Sequence, residues 1–179
     1  MKSLFIILLF LSQNIFCQKY YTRTGNTEFK ASVDAFEPVE AENKSTTVIL
    51  NTENGEIASL LLIKAFRFRL ALMQEHFNEN YMDSDEHPKA TFAGKIHDFN
   101  MDEIVSEKEY KITGILNIRG INKKITTSAK IIKTGDQIFL KSNFSVKPQD
   151  FNIKIPSIVR NKIAKSVIIT IDYELSEKK

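Results

Sequence analysis

The chain carries a single cysteine, Cys17, among its 179 residues. One cysteine forms no internal disulfide. If Cys17 is removed with a leader, what remains has no thiol chemistry either, and a zinc site would have to be built from His and carboxylates alone. Only six glycines are present, and neither a phosphate-cradling glycine loop nor a Gly-x-Ser-x-Gly elbow occurs. Neither sign of charge dominates, with 25 basic against 22 acidic residues, so nothing marks a nucleic-acid partner. The leading apolar run, Leu4 to Leu11, is too short to span a bilayer, which takes about 20 apolar residues.

That run does fit an export signal. Lys2 supplies the positive start, Ser12-Gln13-Asn14 ends the apolar stretch, and Ile15-Phe16-Cys17-Gln18 offers a cleavage point after Cys17. Bulky Phe16 stands where a lipidation motif needs a small residue. The expectation is a signal peptide over residues 1–17, one domain over 18–179, and a periplasmic or secreted product without a stable membrane span. Removing Lys2 with the leader leaves 24 basic and 22 acidic residues.

The rest of the chain repeats mostly with period two. Tyr110, Ile112, Leu116 and Ile118 alternate with Lys111, Thr113, Asn117 and Arg119. The same alternation marks Val167 to Leu175, Ile138 to Val146, Ile125 to Ile131 and Phe29 to Ala35. One dry and one wet face per strand is the pattern of antiparallel sheet. Asn54-Gly55, Gly120-Ile-Asn122 and Thr134-Gly135-Asp136 separate the runs, and connections this short make sequential strands neighbours. Phe66 to Tyr81 breaks the pattern: Leu70, Met73, Phe77 and Tyr81 fall at helical spacing before Pro88, which predicts a short inserted helix and then an acidic loop. Pro148 to Arg160 reads as a loop with a helical turn. About eight long strands would leave exposed edges as a liability unless the sheet closes. The predicted fold is an all-β, antiparallel eight-stranded barrel with one short helix between strands, a size able to hold one small ligand.

No catalytic constellation stands out. His76, His87 and His97 fit no metal spacing, and Asp83-Ser-Asp-Glu86 lacks the glycine and terminal glutamate of a calcium loop. The apolar content says more, with thirteen phenylalanines. Ile57 to Ile63 is apolar on both faces, as expected if one face lines the barrel and the other packs under the helix. Periodicity does not separate a filled barrel from a hollow one; small inward residues such as Ala31, Ala129 and Gly114 lean toward a hollow.

Three stretches carry a family resemblance. Phe77-Asn-Glu-Asn-Tyr81 through Pro88-Lys-Ala-Thr-Phe92-Ala-Gly94, Gly114-Ile-Leu-Asn-Ile-Arg-Gly120 with Asn122-Lys-Lys, and Phe144-Ser-Val-Lys-Pro-Gln-Asp150-Phe occur in order. Together with the last strand they resemble the YceI-like, polyisoprenoid-binding family. Tyr20 to Thr52 follows that pattern less closely, with an acidic, proline-containing Phe36 to Glu42 segment. The resemblance implies a lipocalin-like barrel, export, and an apolar pocket for an amphiphile such as a polyisoprenoid or fatty-acid derivative. It implies no cofactor and no catalytic residue. Alternation then nominates Phe29, Val33, Leu61, Phe92, Ile112, Leu116, Ile118, Leu140, Phe144, Ile169, Ile171 and Tyr173 as ligand-facing, with Tyr110 and Tyr173 offering hydroxyls to a head group. The competing expectations are a filled barrel serving as a cell-envelope interaction module, and an enzyme, for which no nucleophile and base pair is evident. An exposed apolar barrel mouth is also a route to a homodimer.

Overall fold

A computed structural model describes residues 19–32 and 38–178; the leader and residues 33–37, with the ligand candidate Val33 among them, lie outside them. Nine antiparallel strands follow in order: β1 (Lys19–Ser32), β2 (Glu40–Asn51), β3 (Glu56–Leu62), β4 (Arg67–Phe68), β5 (Lys89–Ile96), β6 (Lys108–Ile118), β7 (Ile121–Thr134), β8 (Gln137–Val146) and β9 (Ile163–Glu177). Each long strand pairs with its neighbours in sequence, and β1 pairs with both β2 and β9. The sheet therefore closes into an eight-stranded up-and-down barrel, to which the two-residue β4 adds only Ala41↔Phe68 and Glu42↔Arg67.

Turn chemistry sets the register. Arg119 and Gly120 both take positive φ, 51° and 74°, and close a two-residue turn between Ile118 and Ile121, the geometry that suits the right-handed twist of a hairpin. Gly55 (φ 73°) closes the β2–β3 turn, its amide donating to the Asn51 carbonyl at 2.9 Å. Buried Asn43 ties β2 to β3 by donating to the Leu62 carbonyl at 3.0 Å.

The barrel is filled at one end. Tyr20, Leu50, Ile96, Tyr110, Ile131, Ile138 and Leu175 form one core, plugged from below by Ile104, Phe99 and Met101 of the β5–β6 loop. The Lys133 amide, donating to the Ile104 carbonyl at 2.8 Å, holds that plug against β7. Ala129 belongs to this filled end and not to a hollow: it sits opposite Tyr110, where its small side chain leaves room for the ring.

A second, aromatic core occupies the other end. Phe29, Phe66, Phe68 and Phe77 pack with ring centroids 5.0 to 5.7 Å apart. The insertion that supplies three of these rings leaves and rejoins the rim at one point, because the Ile63 amide donates to the Pro88 carbonyl at 2.9 Å. The helix is shorter than predicted: α1 covers Ala71–His76 and continues as a π turn through Tyr81. Before it, Phe66 and Phe68 alternate with Arg67 and Arg69, and this period-two stretch forms β4.

The insertion is also placed differently from expectation. It does not cover the outer face of β3, where Leu62 stays 49% exposed. Met73, His76, Phe77 and Tyr81 instead point over the barrel's open end.

Candidate functional site

Between the two cores lies a cavity of about 460 Å³, within the range of small-molecule sites. Small side chains at inward positions leave room for it. Ala31, Ser59, Ala90, Thr127 and Ser142 line it where bulkier residues would have filled it. The barrel is thus packed at the Tyr110 end and hollow between that core and the aromatic one.

Phe92 shapes the wall through two glycines. Gly94 and Gly114 sit opposite each other on β5 and β6. A Cβ on either would lie 2.6 or 2.5 Å from the tip of the Phe92 ring. The ring therefore lies flat across the glycine pair instead of standing in the cavity, an aromatic covering for a strand that lacks side chains there.

Phe29, Leu61, Phe92, Ile112, Leu116, Ile118, Leu140, Phe144, Ile169, Ile171 and Tyr173 all line this cavity. Tyr110 does not. It faces inward as expected but at the filled end, its ring 5.7 Å from Phe99. Its hydroxyl is buried and finds no hydrogen-bond partner among the described residues. Tyr173 reaches the wall, yet its hydroxyl is bound to Thr27 at 3.0 Å, and Thr27 to Thr46 at 2.8 Å. Burial pushes the Tyr173 pKa above the usual tyrosine range, while hydrogen bonds from the Thr27, Ser59 and Thr46 hydroxyls pull it back. A second hydroxyl pair, Thr127 and Ser142 at 3.3 Å, faces the same space from β7 and β8.

Charge enters the wall at one place. Among the described lining residues only His76 and Lys162 are exposed, and the cavity meets solvent there, between α1 and the β8–β9 loop. No carboxylate among the described residues lines it. Arg119 joins the loops around this mouth: it donates to the Asn152 carbonyl at 2.8 Å and lies 3.8 Å from the Asp83 carboxylate. Asp85 of the same acidic loop pairs with Lys64. The described residues hold no group of three or more His, Cys, Asp and Glu placed to bind a metal. Such an apolar pocket with a one-sided polar rim can solvate a long hydrocarbon. It offers no paired nucleophile and base.

The walls from α1 and the β8–β9 loop were missing from the sequence-based site. Their signal was present: an apolar stripe of Leu70, Met73, Phe77 and Tyr81 on a short helix needs a surface to cover, and the open barrel is that surface.

No protein of curated function matches the sequence. The fold matches several solved structures. A polyisoprenoid-binding domain from Saccharophagus degradans superposes with a TM-score of 0.76 at 11% identity, over 89% of this chain and 98% of that one. BcnA of Burkholderia cenocepacia gives 0.70 at 16% identity, over 84% and 96%. The YceI protein of Campylobacter jejuni gives 0.62 at 16% identity, over 80% and 87%. At these identities the likeness is one of fold. The family model of the YceI-like domain matches residues 16–175, from before the first described strand into the last residues of β9. The chain belongs to the YceI-like domain family.

Proposed function

We propose that this protein is an exported, non-catalytic lipid carrier whose cavity takes the hydrocarbon chain of an amphiphile, a polyisoprenoid or fatty-acyl derivative. The observation that carries this reading is the cavity itself: about 460 Å³ lined by Phe, Ile, Leu and Val, with charge only at its mouth. Each CH₂ group moved from water into such a tube gains about 0.8 kcal/mol, so a chain needs no specific polar contact to be held. The polyisoprenoid binding named for the Saccharophagus degradans domain supports the same ligand class here. Phe29, Leu61, Phe92, Ile112, Leu116, Ile118, Leu140, Phe144, Ile169 and Ile171 form the chain-binding wall in this reading, and the head group stays at the mouth beside His76 and Lys162. Tyr173 closes the blind end and spends its hydroxyl on Thr27.

Export through the leader at residues 1–17, with the mature chain starting at Gln18, accords with a carrier working in the periplasm or outside the cell. No helix among the described residues is long and apolar enough to cross a membrane. The outward positions of β6 and β7 carry Lys, Thr, Asn and Ser in most places, unlike the apolar outer band of a lipid-facing barrel.

A cavity-filling variant tests the reading. Leu116→Trp places an indole inside the wall near Phe92, its partner across β5 and β6. Uptake of a fluorescent fatty acid should weaken about tenfold or more, the effect of overpacking by about 1–3 kcal/mol, while the circular dichroism spectrum stays that of the parent. Unchanged uptake would place the probe outside the barrel.

A further inference from the structure

The mouth of the cavity has a surface that the barrel itself does not use. On one side, the β8–β9 loop and the start of β9 form an acid-free stretch. Residues 151–171 contain Lys154, Arg160, Lys162 and Lys165 and not one Asp or Glu. Ile158 stands at the tip of that loop, 87% exposed, on the short helical turn Ser157–Val159. On the other side, Arg67 and Arg69 precede α1, and Leu72 on its first turn is 60% exposed. The next residue after each of these aliphatic tips, Val159 and Met73, lines the cavity. The two tips therefore flank one opening.

Among the described residues, Glu75, Glu79 and Glu86 leave acid on the α1 side, so the excess of cations lies on the β8–β9 side, and the other carboxylates nearby are paired. Asp83, Asp85 and Asp150 are engaged by Arg119, Lys64 and Lys123. Glu75 and Glu79 lie on α1 and the π turn that follows it.

Cations alone would be a solvated face, and a lone exposed isoleucine would be unremarkable. Aliphatic tips set among cations are the combination that seats a protein in the interface of an anionic bilayer: the apolar side chains enter the acyl boundary and the cations meet the phosphates. We infer that the rim formed by Leu72 and Ile158, with Arg67, Arg69, Lys154 and Arg160, docks the barrel mouth onto an anionic lipid surface. Lipid then passes between bilayer and cavity without exposing its chain to water. The inference rests on the cavity being a lipid site.

The test is vesicle flotation with residues 18–179, which hold both cores and every strand, so that the apolar run at Leu4 to Leu11 cannot insert by itself. Vesicles of phosphatidylcholine alone are compared with vesicles also containing phosphatidylglycerol. The protein should float with the anionic vesicles only, and added salt should release it. Lys154→Glu with Arg160→Glu should lower binding at least about tenfold, since each cation near an anionic surface contributes comparably. Ile158→Asp should lower it too, and all variants should keep the parent melting temperature because these side chains are exposed. Bound lipid is measured in the same preparations by organic extraction. Protein that carries lipid but ignores anionic vesicles, or floats equally well after both substitutions, overturns the docking surface and leaves the cavity reading intact. Protein that sediments as a dimer and ignores vesicles puts a second copy on the rim instead, and also overturns it. Rim-dependent flotation of protein that never carries lipid upholds the surface and removes the cavity reading.

Discussion

A Cβ at Gly114 would lie 2.5 Å from the Ala93 carbonyl oxygen and 2.5 Å from the Phe92 ring tip. Gly114→Ala must therefore shift β5 against β6 or stand the ring up into the cavity. Either response costs about 1–3 kcal/mol, to be read as a lower urea midpoint, and Phe92→Leu in the same chain should return part of it. Tyr173 is nearly wholly buried among hydroxyls. Its pKa is raised, first by burial, so the folded state holds the phenol proton more tightly than the unfolded one. The stability this represents is complete below about pH 10 and is lost as the pH climbs through the folded value. Melting temperatures from neutral to alkaline pH should fall above about pH 10 for the parent, and less steeply for Tyr173→Phe. Parallel curves would contradict the assignment. Alternation made most of these inward residues legible, because β6, β8 and β9 mark their dry faces in the sequence. It did not give height along the barrel axis, which is why Tyr110 was grouped with the ligand wall. Nor did it flag Thr27, Ser59 and Ser142, inward positions whose polar side chains hide the face they occupy.

Among the elements, the loops around the mouth depend on Arg119. Its guanidinium reaches Asn152 on one side and Asp83 on the other, so the β6–β7 turn holds both the acidic loop behind α1 and the loop leading to β9. Arg119→Ala should cost about 1 kcal/mol of stability. Its clearer signature is local: amides of residues 71–87 and 148–162 should exchange faster with solvent, while those of β7 and β8 at the filled end keep parental protection. Uniform acceleration throughout the barrel would mean that Arg119 supports the whole fold and not the rim. The strand boundaries were readable because Asn54-Gly55, Gly120 and Gly135 punctuate them, each glycine at positive φ, although the turn at Gly120 is Arg119-Gly120 and Ile121 and Asn122 already belong to β7. The insertion was only half readable. Phe66-Arg-Phe-Arg69 carries a period-two signal, but it is two residues of strand long, and the helical stripe that follows it dominates any longer window.

For the molecule as a whole, closure follows from strand number and the cost of bare edges, both visible in one dimension. The cavity is not, since its volume is a sum over side chains from α1 and from all the described strands except β2. Ala31, Ser59, Ala90 and Ser142, from four different strands, must all face one space before a hollow appears, and that depends on barrel stagger. The same sum decides function: the packed end around Ile131, Ile138 and Leu140 supplies stability, which frees the other end to stay open. Native mass spectrometry of residues 18–179, purified from its host without detergent and followed by organic extraction, tests this division most directly. The account predicts a stoichiometric mass excess that extracts as a single amphiphile with a long hydrocarbon chain. A bare protein mass that stays bare when prenyl and fatty-acyl lipids are offered would contradict it.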